Sequence, residues 1–153
     1  MENNIQFVTE VDIFLQMVLV TLNSENNYQI LISGTFDHPL FKKIIEKLLM
    51  NGKINKCKIL IPHVGSTGII SRNYINKISN SGGEIRMNSM FRKNLIVLGN
   101  EAFIISLSSR YKSGLVVKSK FDCAVQTNDS KTVSFISEIF KKVWDKSLPI
   151  VNA

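Results

Sequence analysis

Short apolar runs alternate with segments of helical period through the first ninety residues, and this alternation restricts the fold more than any other feature. Tyr28–Ser33 (YQILIS), Cys57–Pro62 (CKILIP) and Glu84–Asn88 read as strands. Between the first two, Leu40, Phe41, Ile44, Ile45, Leu48 and Leu49 recur at helical spacing, with Lys42, Lys43, Glu46 and Lys47 between them. Asp37 suits the cap of that helix, Pro39 its first turn, and Asn51-Gly52 its end. Gly65–Gly68 then forms a turn before a helix through Ile69, Ile70, Tyr74, Ile75 and Ile78, closed by Gly82-Gly83. Strand, helix, strand in this order predicts parallel strands joined by crossover helices.

Beyond residue 90 the pattern changes. Asn94–Leu98 and Ala102–Leu107 flank Gly99-Asn100, which predicts a hairpin. Gly114–Lys118 and Asp122–Gln126 read as further strands. Asp129 caps a last helix whose stripe is Val133, Ile136, Ile139, Phe140, Val143 and Trp144, with Pro149 beyond its end. The expected fold class is therefore α/β, a mixed and mostly parallel sheet flanked by helices. One domain spanning 1–153 is expected, with an N-terminal helix at about 9–22 and a core at about 28–146.

Thr9 and Asp12 mark the start of that first helix. Phe14, Leu15, Val18, Leu19 and Leu22 form one stripe, while Ile13, Met17 and Val20 make the other faces apolar too. A helix apolar nearly all round is buried, in its own core or against another subunit. Its apolar run contains Asp12 and Gln16 and is shorter than the roughly 20 residues that span a bilayer, so no membrane is expected. Met1 is followed by acidic and amide residues rather than a basic leader, so the expected compartment is the cytoplasm. Cys57 and Cys123 sit in apolar runs without a CxxC or Cys/His cluster, which predicts reduced, buried thiols and no metal site.

The chain carries 19 Lys and Arg against 12 Asp and Glu, a net charge of +7. The excess is one-sided. Residues 1–50 hold three bases and six acids, whereas 51–153 hold 16 bases and six acids. From Lys53 to Lys93, the bases Lys53, Lys56, Lys58, Arg72, Lys77, Arg86, Arg92 and Lys93 face Glu84 alone. Such a distribution attracts phosphates, nucleic acid or anionic metabolites. Gly65-Ser66-Thr67-Gly68 precedes a helix, where free backbone N–H groups favour anions. Both histidines, His38 and His63, follow predicted parallel strands at the ends where ligand crevices form. His38, between Asp37 and Pro39, reads as part of a helix start, and His63 as the pocket candidate.

From about Tyr28 to Trp144 the chain resembles one half of the phospholipase D-like superfamily. That family's motif reads HxKxxxxD, then six residues, a small pair, one residue and Asn. Here Phe91-Arg92-Lys93-Asn94-Leu95-Ile96-Val97-Leu98 is followed by six residues, then Ile105-Ser106, Leu107 and Ser108. The family's closing FxxxW is matched by Phe140–Trp144. The spacing holds, as do Lys93 and Ser106. Phe91 replaces the nucleophilic histidine, Leu98 the aspartate and Ser108 the asparagine.

A phenyl ring offers no lone pair for the covalent catalysis that the resemblance implies, and the positioned acid–base partner is also absent. The resemblance therefore implies a chain that is not an enzyme. It implies a domain binding an anionic or phosphate-containing small molecule in a regulatory or sensor role, without cofactor, like modules of archaeal transcription regulators and signalling proteins. The ligand site would combine His63, Ser66, Phe91, Arg92, Lys93, Ser106 and Ser108. Since two halves normally face each other in the family, a homodimer is expected. The alternative is a nucleic-acid-binding module using the stretch 53–93. A third reading is a phosphodiesterase whose nucleophile has moved to His63.

Overall fold

A computed structural model describes residues 5–24, 29–34, 39–65, 71–112 and 115–150, with side chains for all of these except 109–112 and 115–119. The elements are β1 (Ile5–Val8), α1 (Val11–Asn23), β2 (Ile30–Ser33), α2 (Pro39–Met50), a 3-10 turn (Ile54–Lys56) and β3 (Cys57–Ile61). They continue with α3 (Arg72–Asn80), β4 (Glu84–Met87), β5 (Asn94–Leu98), β6 (Glu101–Lys112), β7 (Leu115–Thr127), α4 (Ser130–Asp145) and β8 (Leu148–Pro149). Among the described residues no helix is long and apolar enough to cross a membrane.

One eight-stranded sheet runs in the order β1-β7-β6-β5-β2-β3-β4-β8. The mixed α/β class is as expected, but its parallel part is smaller than the sequence suggested. Only β2–β3 and β3–β4 pair in parallel, and the other five pairings are antiparallel. Two short strands enlarge the antiparallel part. β1 lies before the first expected helix and pairs with β7, and β8 carries Pro149, which reads as a helix stop. The hairpin forms as predicted, with Gly99 at φ 59°, a left-handed backbone that glycine adopts freely. Its second strand, β6, is twice as long as expected, because β7 continues the ladder beside it.

Helix starts also shift. The N-cap of α1 is Glu10 rather than Thr9, and it makes no side-chain cap bond. The third helix is described from Arg72, behind Ser71, whose hydroxyl accepts from the Tyr74 N–H, while Ile69 and Ile70 of the expected helix fall outside the described residues. Asp37, His38 and the turn residues Ser66, Thr67 and Gly68 fall outside the described residues.

The sheet buries both faces. On one, α1, α2 and α3 cover Ile30, Ile32, Ile59, Ile61, Ile96 and Phe103. Phe14 of α1 is fully buried there. Its ring meets Phe103 edge-on at 5.6 Å and Phe121 at 5.5 Å. α1 thus covers the sheet of its own chain, burying Phe14, Val18 and Leu22 while Ile13 and Val20 stay exposed. The expected homodimer loses this helix as its support.

On the other face α4 alone packs Val133, Ile136, Phe140 and Trp144 onto Leu31, Leu60, Leu95, Val97 and Ala102. Two cations approach the Trp144 ring, Arg86 with Cζ 4.6 Å and Lys58 with Nζ 5.7 Å from its centre. Arg86 Nη1 also donates to the Trp144 carbonyl at 2.7 Å, near the negative end of α4.

Cys57 is buried as expected, while Cys123 is only half-buried. Burial pushes the Cys57 thiol up to about 12. The folded state therefore keeps a proton that the unfolded chain sheds from about pH 9, so stability falls as pH rises between those values. A Cys57→Ala variant is expected to show a smaller loss of urea stability than the parent between pH 8 and 10. Phe14→Ala is expected to cost about 3–5 kcal/mol, read from the shift of the urea midpoint.

Candidate functional site

The direction of β5 creates the site. β5 lies antiparallel to β2, with Leu95 opposite Ser33, so its beginning meets the C-terminal ends of β2 and β3. β6 runs back the other way and carries Ser106 and Ser108 past that same end, because Ile105 pairs with Asn94. His63 leaves β3 there, and the Asn88 N–H closes β4 onto the Ile61 carbonyl at 3.0 Å. One rim of the sheet therefore gathers His63, Phe91, Arg92, Lys93, Ser106 and Ser108. Ser66 is not among the described residues.

The rim is fixed from beneath. The Ser33 hydroxyl is buried and donates to the Lys93 carbonyl at 2.8 Å, which ties the start of β5 to the end of β2. Gly34 follows Ser33, and a Cβ there would lie 2.4 Å from the Phe41 ring, so the close approach of α2 to the strand end requires glycine. The Arg92 Nε donates to the Ser89 carbonyl at 3.2 Å. The side chains of His63, Arg92, Lys93, Ser106 and Ser108 are exposed, whereas Phe91 is half-buried against the core beneath α4.

Sequence reasoning missed one rim residue, Asp122. Ser106 pairs with Cys123 and Leu107 with Phe121, which leaves Asp122 as the extra residue of a β-bulge. A bulge re-aims a side chain out of the regular alternation. Here the carboxylate is exposed and accepts from the Ser108 hydroxyl at 2.9 Å. Lys120, opposite Ser108, is exposed beside it. An acid inside an expected strand was the available signal, and only the pairing register shows where it points.

Leu98 belongs elsewhere. It pairs with Ile30 and Glu101 at the hairpin end of β5, and it is buried in the core beneath α1 and α2. Five residues of strand put it about 17 Å from Lys93. Its identity therefore fixes core packing at the end of β5 opposite the rim. Among the described residues no three His, Cys, Asp or Glu side chains converge as metal ligands would.

Solved structures share this architecture. Nuc from Salmonella typhimurium, a phospholipase D family member, matches with a TM-score of 0.68 and 22% identity over 97% of this chain and 99% of its own. NucT from Helicobacter pylori matches with a TM-score of 0.69 and 12% identity over 97% of this chain and 100% of its own. TrmBL2, an archaeal chromatin protein that shows a novel mode of DNA binding, matches at 0.62 and 16% over 97% of this chain and 54% of its own. No protein-family model and no curated protein matches the chain by sequence. The chain has the phospholipase D-like fold, as the hairpin spacing implied.

This likeness corrects one expectation. Nuc, a phospholipase D family member, and NucT share the fold over nearly their whole length, so the expectation that the chain is not an enzyme does not stand. The contrary expectation rested on Phe91 at the histidine position and Leu98 at the aspartate position, and Leu98 lies at the far end of β5 from the rim.

Two variants test this geometry. Leu98→Asp, which restores the family's motif residue, is expected to destabilise the fold by about 2–5 kcal/mol, since it deletes a buried leucine and buries a carboxylate. Ser33→Ala is expected to cost about 1–2 kcal/mol. Urea denaturation measures both.

Proposed function

We propose that this phospholipase D-like domain binds the sugar–phosphate backbone of nucleic acid along the rim. The observation that carries this reading is the open, cation-bearing strand-end surface, where Arg92, Lys93 and Lys120 stand exposed among Ser106, Ser108 and His63. Lysine meets a phosphate as a point charge and serine hydroxyls donate to its oxygens, contacts that position a backbone without reading bases. The fold adds support, since TrmBL2 shares it and binds DNA.

The basic stretch as a whole does not form this surface. Lys58 and Arg86 approach the Trp144 ring, Lys53 Nζ donates to the Leu22 carbonyl, and Lys77 lies over the Tyr74 ring. Arg92 and Lys93 stand on the rim, and Arg72 opens α3 next to Ser71, which bridges Gly65 beyond the same end of β3.

Fluorescence anisotropy with a labelled oligonucleotide tests the proposal. Affinity is expected to fall with a log–log salt slope of about −0.9 per neutralised phosphate on duplex, or about −0.7 on a single strand. Lys93→Ala is expected to reduce that slope by about one contact. A slope near zero, together with saturable binding of inorganic phosphate that Lys93→Ala removes, would instead support the regulatory small-anion reading and overturn this one.

A second reading adds chemistry, favoured by His63 standing exposed on the same rim as Lys93 and the bulged Asp122. A ring nitrogen of His63 would attack phosphorus, forming a P–N bond as a P–O bond breaks. The leaving oxygen takes a proton from water, and a second water then releases the phosphoryl group. Turnover of bis(p-nitrophenyl) phosphate is then expected to vanish in His63→Ala and to survive in Phe91→Ala. A rate equal to that of buffer removes the second reading and leaves the first.

A further inference from the structure

At the far side of the sheet, β1 is an edge strand without the usual protection. Its residues Ile5, Gln6, Phe7 and Val8 include no charge and no proline, and no described residue pairs with its outer side. The opposite edge, β8, is two residues long and ends on Pro149. Natural edges are ordinarily short, charged or interrupted, because an open row of N–H and C=O groups templates another strand.

Both faces beside this edge are shaped for side chains. Strand alternation sends Val8 and Gln6 toward α1 and sends Ile5 and Phe7 to the α4 side. Phe7 is 76% exposed there and Ile5 59%. On the α1 side runs a groove of about 480 Å³. One wall is the stripe Ile13, Gln16, Met17 and Val20, at the i, i+3, i+4, i+7 spacing of a single helix face, and the floor holds Gln6 and Gln126.

Gln126 adds a polar group to this groove. It is only 7% exposed and lines the groove opposite Gln6. Its carboxamide offers two donors and an acceptor to a group that enters there.

We propose that β1 and this groove bind an extended peptide segment of a partner protein, which adds to β1 as a ninth strand. An open edge supplies main-chain hydrogen bonds, and flanking pockets take alternate side chains, the division of labour in strand addition. The peptide would place a hydroxyl or amide side chain on the Gln126 side, against the aliphatic wall of Ile13, Met17 and Val20. On its other face it would carry aliphatic residues to cover Phe7 and Ile5. The absence of charge on β1 favours a segment without acidic residues, and the Glu101 carboxylate that also lines the groove, where it accepts from the Thr21 hydroxyl at 2.8 Å, favours hydrogen-bond donors on its Gln126 side.

The test uses the full chain and a blocked hexapeptide alternating valine and threonine as the probe. Hydrogen exchange of the β1 amides is expected to slow at least tenfold on saturation, and the Gln126 side-chain amide resonances to shift. Phe7→Lys and Val20→Asp change exposed side chains, so the fold should persist, as an unchanged thermal midpoint would confirm. Each is expected to weaken the peptide at least tenfold, and Gln126→Leu at least fivefold. Absence of protection at millimolar peptide, or unchanged affinity in all three variants, would overturn the proposal. So would a dimer that protects β1 without peptide, because the edge would then belong to a second copy.

Discussion

The antiparallel placement of β5 against β2 is the constraint on which the molecule turns. Parallel strands alone would leave their C-terminal ends to the loops that follow them. By entering the sheet head-first beside β2, β5 brings the start of one strand and the continuation of its hairpin partner to those same ends. The buried Ser33 hydroxyl on the Lys93 carbonyl locks this meeting point, and Gly34 lets the Phe41 ring of α2 close beneath it. Lys93 is thus displayed by backbone that has little freedom to move, which is what a site for a charged ligand requires.

Much of this was legible from residue patterns. The helix stripe from Leu40 to Leu49 and the Gly99-Asn100 hairpin are local signals, and local signals survive into the fold. The two edge strands were not legible. β1 has four residues, only two on each face, in which to show alternation, and β8 has two residues, one of them a proline. Their pairing depends on β7 and β4, which lie far away in sequence. The same holds for the site. The spacing from Phe91 to Ser108 located the hairpin, yet spacing cannot tell which motif positions share an end of a strand. Leu98 and Lys93 belong to one eight-residue motif and to opposite ends of β5. Asp122 arrives at the rim only through a bulge, which is a property of the register between two strands.

Charge shows a comparable division. A run of eight bases against one acid reads as a single patch, but folding scatters it. Lys58 and Arg86 both lie over the Trp144 ring, and Lys53 reaches the carbonyl end of α1. These cations hold elements together and have little charge to offer a polymer. The charge that remains for a ligand is smaller and better placed, on the rim where β5 begins.

The central claim is that the ligand face is this rim. Chemical-shift mapping of the isotopically labelled chain with an unlabelled oligonucleotide addresses it most directly. The account predicts that the largest amide shifts fall on His63, Arg92, Lys93, Ser106, Ser108 and Lys120. Shifts centred on the hairpin end around Gly99-Asn100, or on the exposed side of α4, with the rim unmoved, would contradict it.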